Sequence, residues 1–364
     1  MKSVAAEAHR HALHGSAKHR QPEQVVTAAT SGRQRASFSV DKTHVELVAS
    51  IISIADNEPV VEIVLSRDGR DTDRLPSVLF SPGSVGSLED CLRRPVEQYT
   101  GHPIGFLQQL IAFIGKSQGT NILIGFLALV YDTRRNARAI GTNRSKSRNC
   151  RWQSCYLYFP WEDWRAGRPR IIDEVIVPEL AAWARTADHF KGRSPLSKAA
   201  QARCLTERST RARIAFPQTD IAWDEAKVVT RFELLIEAGL ISEEQIASVA
   251  PRSAATSSRP EHVLGRVMAA GHRRALAASF GRLRADIKAR PVVFELMDDE
   301  FSLHELQRTV EVILGPNLHK QNFRRQVETG GLVEPTGGMK SHTGGRPAKL
   351  YRFRREILLE RPGF

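Results

Sequence analysis

The most constraining feature of this chain is the stretch Leu318 to Arg355, where the spacing of apolar residues changes period twice within forty residues. Phe323 and Val327 stand one helical turn apart and give the segment from Leu318 an inner face. Gly330 and Gly331 end that helix, and Leu332 and Val333 begin a short apolar strand. A loop holding Gly337, Gly338, Gly344 and Gly345 follows. The chain then returns over Lys349 to Arg354, with Tyr351 and Phe353 on one face and Arg352 and Arg354 on the other. Lys and Arg occur nine times in this stretch, against the two acids Glu328 and Glu334. A basic helix with one apolar stripe, followed by a basic hairpin, has to find a partner for its charge outside its own core.

The preceding segment supplies the missing half of a motif. Ser302 and Glu305 form a capping box. Leu303, Leu306, Val310 and Ile313 follow at helical spacing, and Gly315-Pro316 stop the helix. Helix, tight turn, basic helix and hairpin make a winged helix-turn-helix, whose second helix enters the major groove of DNA. In that reading Gln321, Asn322 and Arg325 pair with base edges and Lys320 and Arg324 hold flanking phosphates, while Lys340, Arg346, Lys349 and Arg352 serve the wing. Gly345-Arg346-Pro347 resembles the core of a minor-groove hook. The competing reading is an ordinary hairpin with a solvated basic surface.

A formal net charge of +13 and a pI near 10.0 favour polyanionic partners and are silent on fold. The 364 residues point to two or three domains. Cys91, Cys150, Cys155 and Cys204 have no zinc-finger spacing, so free thiols in a reducing cytosol are expected, and no metal site. The apolar run Ile122 to Val130 is strand-sized, well short of the ~20 residues that span a bilayer. The N-terminus lacks the apolar core of a secretion signal, so a cytoplasmic location is expected. Residues 1–40 carry hardly any large apolar side chains and read as a disordered basic arm. Its His9, His11, His14 and His19 read as polar residues of a tail, with no fixed geometry for a metal.

From Val45 the texture is that of a mixed α/β domain. Strand-like runs cover VELVASIISIA and VVEIVLSR around a turn at Asn57 to Pro59. A helix is expected from Ser87 to Tyr99, stopped by Thr100-Gly101, and LQQLIAFIG and NILIGFLALVY are further strands. The aromatics of YLYFPWEDWR (Tyr156, Tyr158, Phe159, Trp161, Trp164) suit a core or an interface more than a base-stacking platform. VPELAAWARTA closes the domain as a helix. This layout resembles the Nudix fold, whose glutamate-rich loop-helix-loop holds Mg²⁺ at a pyrophosphate. Anchored on Thr100-Gly101, that motif's first glycine falls on Phe80, its first glutamate on Gly86 and its arginine on Arg94. The next glutamate falls on Pro95, the paired glutamates on Gln98 and Tyr99, and the last aliphatic on His102. Glu89 and Glu97 lie near but out of place. Gln and Tyr offer Mg²⁺ neither charge nor geometry, so no catalytic residue is assigned and a ligand-sensing domain is expected.

Residues 133–151 and 191–213 are basic, poor in apolar side chains, and read as loops or linkers. RFELLIEAGLI, ended by Gly239, and HRRALAASFGRLRADIKA, with Leu276, Phe280, Leu283 and Ile287 in one stripe, read as connector helices around a flexible break at Ser253 to Pro260. From about residue 44 to 362 the chain resembles the Nudix-related regulators of NAD metabolism, of the NadQ type and more distantly the NrtR type. The residues that carry this are Trp223-Asp224-Glu225 with RFELLIEAGLI, HRRALAASFGRLR, RPVVFEL, LHKQNFRR and TGGRPAKLYRFRRE.

The expected architecture is α/β plus α+β. A Nudix-like α/β/α sandwich at 44–190 leads through a linker and connector helices at 191–290 to a winged helix-turn-helix at 291–364. The resemblance implies a homodimeric repressor of NAD-biosynthesis genes that binds a double-stranded operator and responds to an effector nucleotide such as NAD, ATP or ADP-ribose. Arg67 and Arg94 are the candidate phosphate contacts, with plain surface arginine as their alternative. Two other classes remain open: a Nudix-type hydrolase of a nucleoside diphosphate derivative such as ADP-ribose, and a nonspecific nucleic-acid binder.

Overall fold

The structure, a computed structural model, describes residues 44–65, 72–81, 86–117, 119–131, 150–185, 198–242, 261–340 and 347–354. The chain divides into two units, Met1–Val40 and Asp41–Phe364, and all described residues belong to the second. The expected N-terminal arm, the break at 253–260 and residues 133–149 of the loop expected at 133–151 lie outside the described residues. Cys150 and Arg151, the end of that expected loop, are strand instead, paired with Val64 and Ile63.

The hairpin β1 (His44–Ala55) and β2 (Glu58–Val64) turns on Asp56 and Asn57, both at positive φ (47° and 58°). Two left-handed residues make the turn whose twist matches that of paired strands, and Asp and Asn tolerate that conformation best among residues with side chains. Next come β3 (Ser77–Phe80), helix α1 (Leu88–Thr100), β4 (Phe106–Ser117), β5 (Gly119–Leu129) and β6 (Cys150–Ser154). The sheet runs β4-β5-β1-β2-β6, with β3 also paired to β1; only β1 and β5 are parallel. Alternation along the strands builds two cores. Leu47, Ala49, Ile51, Phe126 and Ala128 face α1 through Leu92 and Val96. Val48, Ile52, Leu123, Leu127 and Leu129 face the other way.

That second face is covered by helices. α2 (Val177–Arg185), α3 (Lys198–Ala215), α4 (Val228–Glu237) and α5 (His272–Ala289) follow in order, and Leu276, Phe280 and Leu283 of α5 join the same core as the sheet, with Phe232 and Leu235 of α4. Two sequence readings need revision here. The basic stretch taken as a linker up to residue 213 is helical from Lys198, because Ala, Arg, Lys, Gln and Leu all favour helix and no Gly or Pro interrupts them. Helix α5 is no connector with a single stripe: it is a sandwich layer, buried also at Arg273, Ser279, Gly281, Arg284 and Asp286. The aromatics Tyr156, Tyr158, Phe159 and Trp161 are core residues, as their type led one to expect.

The last element group is β7 (Phe301–Ser302), α6 (Leu303–Leu314), α7 (Lys320–Thr329), β8 (Val333–Lys340) and β9 (Ala348–Phe353). The strands form a sheet in the order β7-β9-β8. Its core joins Val293, Phe301, Leu306, Val310, Val327, Val333 and Tyr351, with Phe294 stacked on Phe353 at 4.2 Å. Gly337 and Gly338 belong to β8 rather than to the loop, at an irregularity in the β8–β9 register between Pro335 and Met339. Glycine is the residue such a break admits; Gly337 takes φ +82°. Among the described residues no helix is long and apolar enough to cross a membrane.

Candidate nucleic-acid interface

Helix α6 starts as its sequence demands. Ser302 Oγ accepts from the Glu305 amide at 3.2 Å, and Glu305 accepts from the Ser302 amide at 2.8 Å. Burial raises the Glu305 carboxyl, but hydrogen bonds from Lys340 and Ser302 outweigh it and hold the acid below its ordinary range. The turn into α7 is tied by another side chain pair. Glu311 Oε1 accepts from the Leu318 amide at 2.9 Å and from Gln307 Nε2 at 2.8 Å, and Gln307 also donates to the Leu318 carbonyl. With α6 capped and the turn pinned, Phe323 and Val327 dock α7 on the core.

The other face of α7 is open. Lys320, Gln321, Asn322, Arg324 and Arg325 are all exposed. Arg324 lies 3.9 Å from Glu328 one turn on, a solvent-screened pair worth little. Among the described residues no ion pair involves Lys320, Arg325 or Lys349. The predicted wing residues divide. Lys349 is exposed on β9, and Arg352 Nε is 2.5 Å from Glu334 across the hairpin. Lys340 Nζ is 2.7 Å from Glu305 Oε1, which ties the wing to the cap of α6. Arg346 lies outside the described residues. One element therefore brings together two amides and three cations on a single exposed face, the donor set that reads base edges and phosphates.

The α1 region is assembled differently. Ser87 and Asp90 cap the helix, and Gly101, at φ +76°, ends it. Gly86, Arg94, Pro95, Gln98 and Tyr99 are exposed, and Arg67 lies outside the described residues. Glu97 faces neither solvent alone nor a shared acid cluster: its Oε1 accepts from the Ile104 amide at 2.8 Å, while Arg93 donates to the Ile104 carbonyl. The buried acid of this face is Glu62 of β2, with His102 Nε2 at 3.7 Å and the His102 ring 5.5 Å from that of Trp152. Among the described residues no group of three or more His, Cys, Asp or Glu is placed to hold a metal ion.

Sequence reasoning missed a third constellation. Glu162, fully buried, receives Arg231 through both carboxylate oxygens (2.6 and 2.8 Å) and Arg284 through Oε2 (2.6 Å). Arg231 also donates to the Asp224 carbonyl and lies over Trp223, 3.9 Å from its ring centre. Arg284 donates to the carbonyls of Glu162 and of Ile313, the latter in the last turn of α6. The signal was present in the acid inside PWEDW, a sequence otherwise made of core residues.

The strand-capped helix, pinned turn, exposed second helix and hairpin define a winged helix, here joined to a mixed sheet with helices on both faces. Residues 293–353 match the family model described as the NrtR DNA-binding winged helix domain. The ADPR responsive transcriptional repressor NtrR of Acinetobacter baylyi is 41% identical over 93 residues, which cover 26% of this chain. The match spans 37% of that relative's length. Among solved structures, Shewanella oneidensis NrtR complexed with a 27mer DNA aligns over 86% of this chain and 94% of its own, with 14% identity and a TM-score of 0.46. The NUDIX domain of the same NrtR complexed with ADP ribose aligns over 34% of this chain and 78% of its own, at 16% identity and a TM-score of 0.25.

Proposed function

We propose that this protein is a transcriptional repressor of NAD-biosynthesis genes that binds a double-stranded operator through α7 and the β8–β9 wing. Its Nudix-like domain senses an NAD-related or adenine nucleotide, for which NAD, ATP and ADP-ribose are the candidates. The observation that carries the DNA half is the exposed face of α7, where Lys320, Gln321, Asn322, Arg324 and Arg325 stand on a helix whose apolar side is docked by Phe323 and Val327. The 41% identity over 93 residues to a repressor named as ADPR responsive supports the reading, and the winged-helix match at residues 293–353 supports its DNA half.

In this reading Gln321, Asn322 and Arg325 contact bases and Lys320 and Arg324 contact phosphates. Arg346, Lys349 and Arg352 serve the wing, and Lys340 orients it through Glu305. Arg94 is the remaining candidate phosphate contact on α1 and is exposed. The Nudix-like domain works as a sensor rather than a hydrolase, since Gly86, Pro95, Gln98 and Tyr99 occupy the positions where the motif places its glutamates. Two protomers would match an operator with two half-sites.

The test is fluorescence anisotropy on promoter duplexes from NAD-biosynthesis genes and on scrambled duplexes, each with and without NAD, ATP and ADP-ribose. Sequence-selective binding that one nucleotide alters is the expected result. Equal binding to both duplexes, untouched by any nucleotide, reduces the protein to a basic DNA-binding surface. Mg²⁺-dependent turnover of ADP-ribose would replace the sensor by a hydrolase.

A further inference from the structure

Helix α6 does not end in solvent. The last turn of any helix leaves carbonyls without helical partners, and here two of them are taken up by the Nudix-like domain. Tyr156 Oη donates to the Val312 carbonyl at 2.7 Å, and Arg284 Nε donates to the Ile313 carbonyl at 2.7 Å. Both donors are buried. Burial, only partly opposed by Arg284, pushes the Tyr156 phenol up to about 12, so the hydroxyl keeps its proton at physiological pH. A third point of grip is Gly315, at φ +99°, where an added Cβ would lie 3.0 Å from Trp164 Cβ. The residues from Ser154 to Arg165 therefore abut the turn that sets α7.

The same segment borders a groove of about 370 Å³ on its other side, walled by Val60, Trp152, Ser154, Tyr156, Pro160 and Arg165 among others. Its size is at the small end of ligand sites. Arg165 lies over the Tyr156 ring, 4.8 Å from its centre. Its guanidinium is already bound by Glu58 at 3.0 Å, by Asp163 at 2.8 Å and by the Asn57 carbonyl at 2.9 Å. With two carboxylates on one cation, this groove does not favour a phosphate. It offers an indole, a hydroxyl and the amide of Gln153, which suit an uncharged ring bearing polar edges.

We infer that Ser154–Arg165 is the coupling segment of this protein: its outer side receives the uncharged nucleoside end of a ligand, and its inner side, through Tyr156 and Val312, sets how firmly the end of α6 holds the DNA-reading helix. The inference rests on the sensor reading above and adds to it where the ligand is felt and by what route. A ring entering beside Trp152 displaces or tightens the Arg165–Tyr156 stack, and Tyr156 cannot shift without moving its hydroxyl relative to Val312. Binding that treats the two positions of Tyr156 unequally shifts the population of α6 orientations by that difference.

The experiment uses the full chain and the variants Tyr156→Phe, which keeps the ring and removes the donor, and Trp152→Ala. Amide exchange in the last turn of α6 is expected to rise about fivefold in Tyr156→Phe, the worth of one hydrogen bond. In the same variant, the ratio of promoter-DNA Kd values with and without ADP-ribose is expected to move toward one. Trp152→Ala is expected to raise the ADP-ribose concentration for half effect about tenfold, the scale of one ring-stacking contact. A wild type that responds to ADP-ribose, paired with a Tyr156→Phe variant identical to it in both α6 exchange and response, overturns the inference alone. A wild type that binds promoter DNA but ignores NAD, ATP and ADP-ribose alike overturns the sensor reading and the ligand side of the inference together.

Discussion

Helices α5 and α7 use the same cation for opposite ends. α5 carries Arg273, Arg274, Arg282, Arg284 and Lys288, and α7 carries Lys320, Arg324 and Arg325. In α5 the arginines that point inward are fully enclosed and aimed at protein oxygens: Arg273 at the Tyr158 and Leu264 carbonyls, Arg284 at Glu162 and Ile313. In α7 the cations point to water, and the one ion pair described there is the loose Arg324–Glu328 contact. A positive helix is thus no signal of DNA binding by itself. What separates the two is whether the fold supplies oxygens for the charge or leaves that to a partner.

The sharpest way to break this contrast is to remove the acid that makes the α5 pattern possible. Glu162→Ala leaves Arg231 and Arg284 buried without their counter-charge. The expected cost is ~3–5 kcal/mol, the range for breaking a buried pair by deleting one partner. Denaturant unfolding measures it, and a loss below ~1 kcal/mol means that water or other groups reach the two guanidiniums. A second structural test is acid. Burial would raise the Glu46 carboxyl, but the hydrogen bond and charge of His272, with Ser77 and Arg74 adding to them, bring it down from 4.5 to about 2. A depressed folded value means that this stability is fully present above pH 4.5 and lost as pH falls toward 2. It amounts to about 3 kcal/mol. Glu46→Gln is expected to flatten the stability profile over that window, and an unchanged profile removes Glu46 from the account.

How much of this was legible depended on whether the deciding contact is local. The capping box at Ser302 and the α1 bounds near Ser87 and Gly101 are set by residues within four positions of one another, and sequence spacing reveals them. The turn expected at Asn57 to Pro59 instead sits at Asp56-Asn57, because Glu58 and Pro59 already pair in β2. The exposed face of α7 was legible for the same reason: Phe323 and Val327 fix its inner side. The role of α5 was not. Its partners Glu162 and Ile313 lie 122 and 29 residues away, and a helix enclosed on most sides shows no clean stripe by which to recognise it. The wing was half legible. Alternation in β9 identified its basic face, but the commitment of Lys340 to Glu305, 35 residues back, appears only when the hairpin folds over α6.

The α7 side of the comparison is sharpened by Arg325→Ala. Exposed and outside any ion pair among the described residues, Arg325 has little to lose in the folded state, so stability is expected to stay within ~0.5 kcal/mol of wild type. Binding to a specific operator is expected to weaken by ~1–3 kcal/mol with relaxed base preference at one position. Anisotropy on operator and random duplexes separates the outcomes. Equal losses on both would sink the base-reading role and leave Arg325 as a phosphate contact.

The smallest effects compare two wing lysines on neighbouring strands. Lys349 is exposed and bound to no described acid, so Lys349→Ala is expected to lower affinity about equally on every duplex and to reduce the salt slope by about one. Lys340 already spends its charge on Glu305, which in turn caps α6. Lys340→Ala is therefore expected to leave the salt slope nearly unchanged and to cost a few tenths of a kcal/mol in stability, as a half-exposed pair does. The two slopes, measured side by side, decide whether an ion pair inside the domain withholds a wing cation from DNA. If Lys340→Ala flattens the slope as much as Lys349→Ala, the Lys340–Glu305 contact opens on binding, and the distinction between charges kept by the fold and charges offered to a partner fails at the wing.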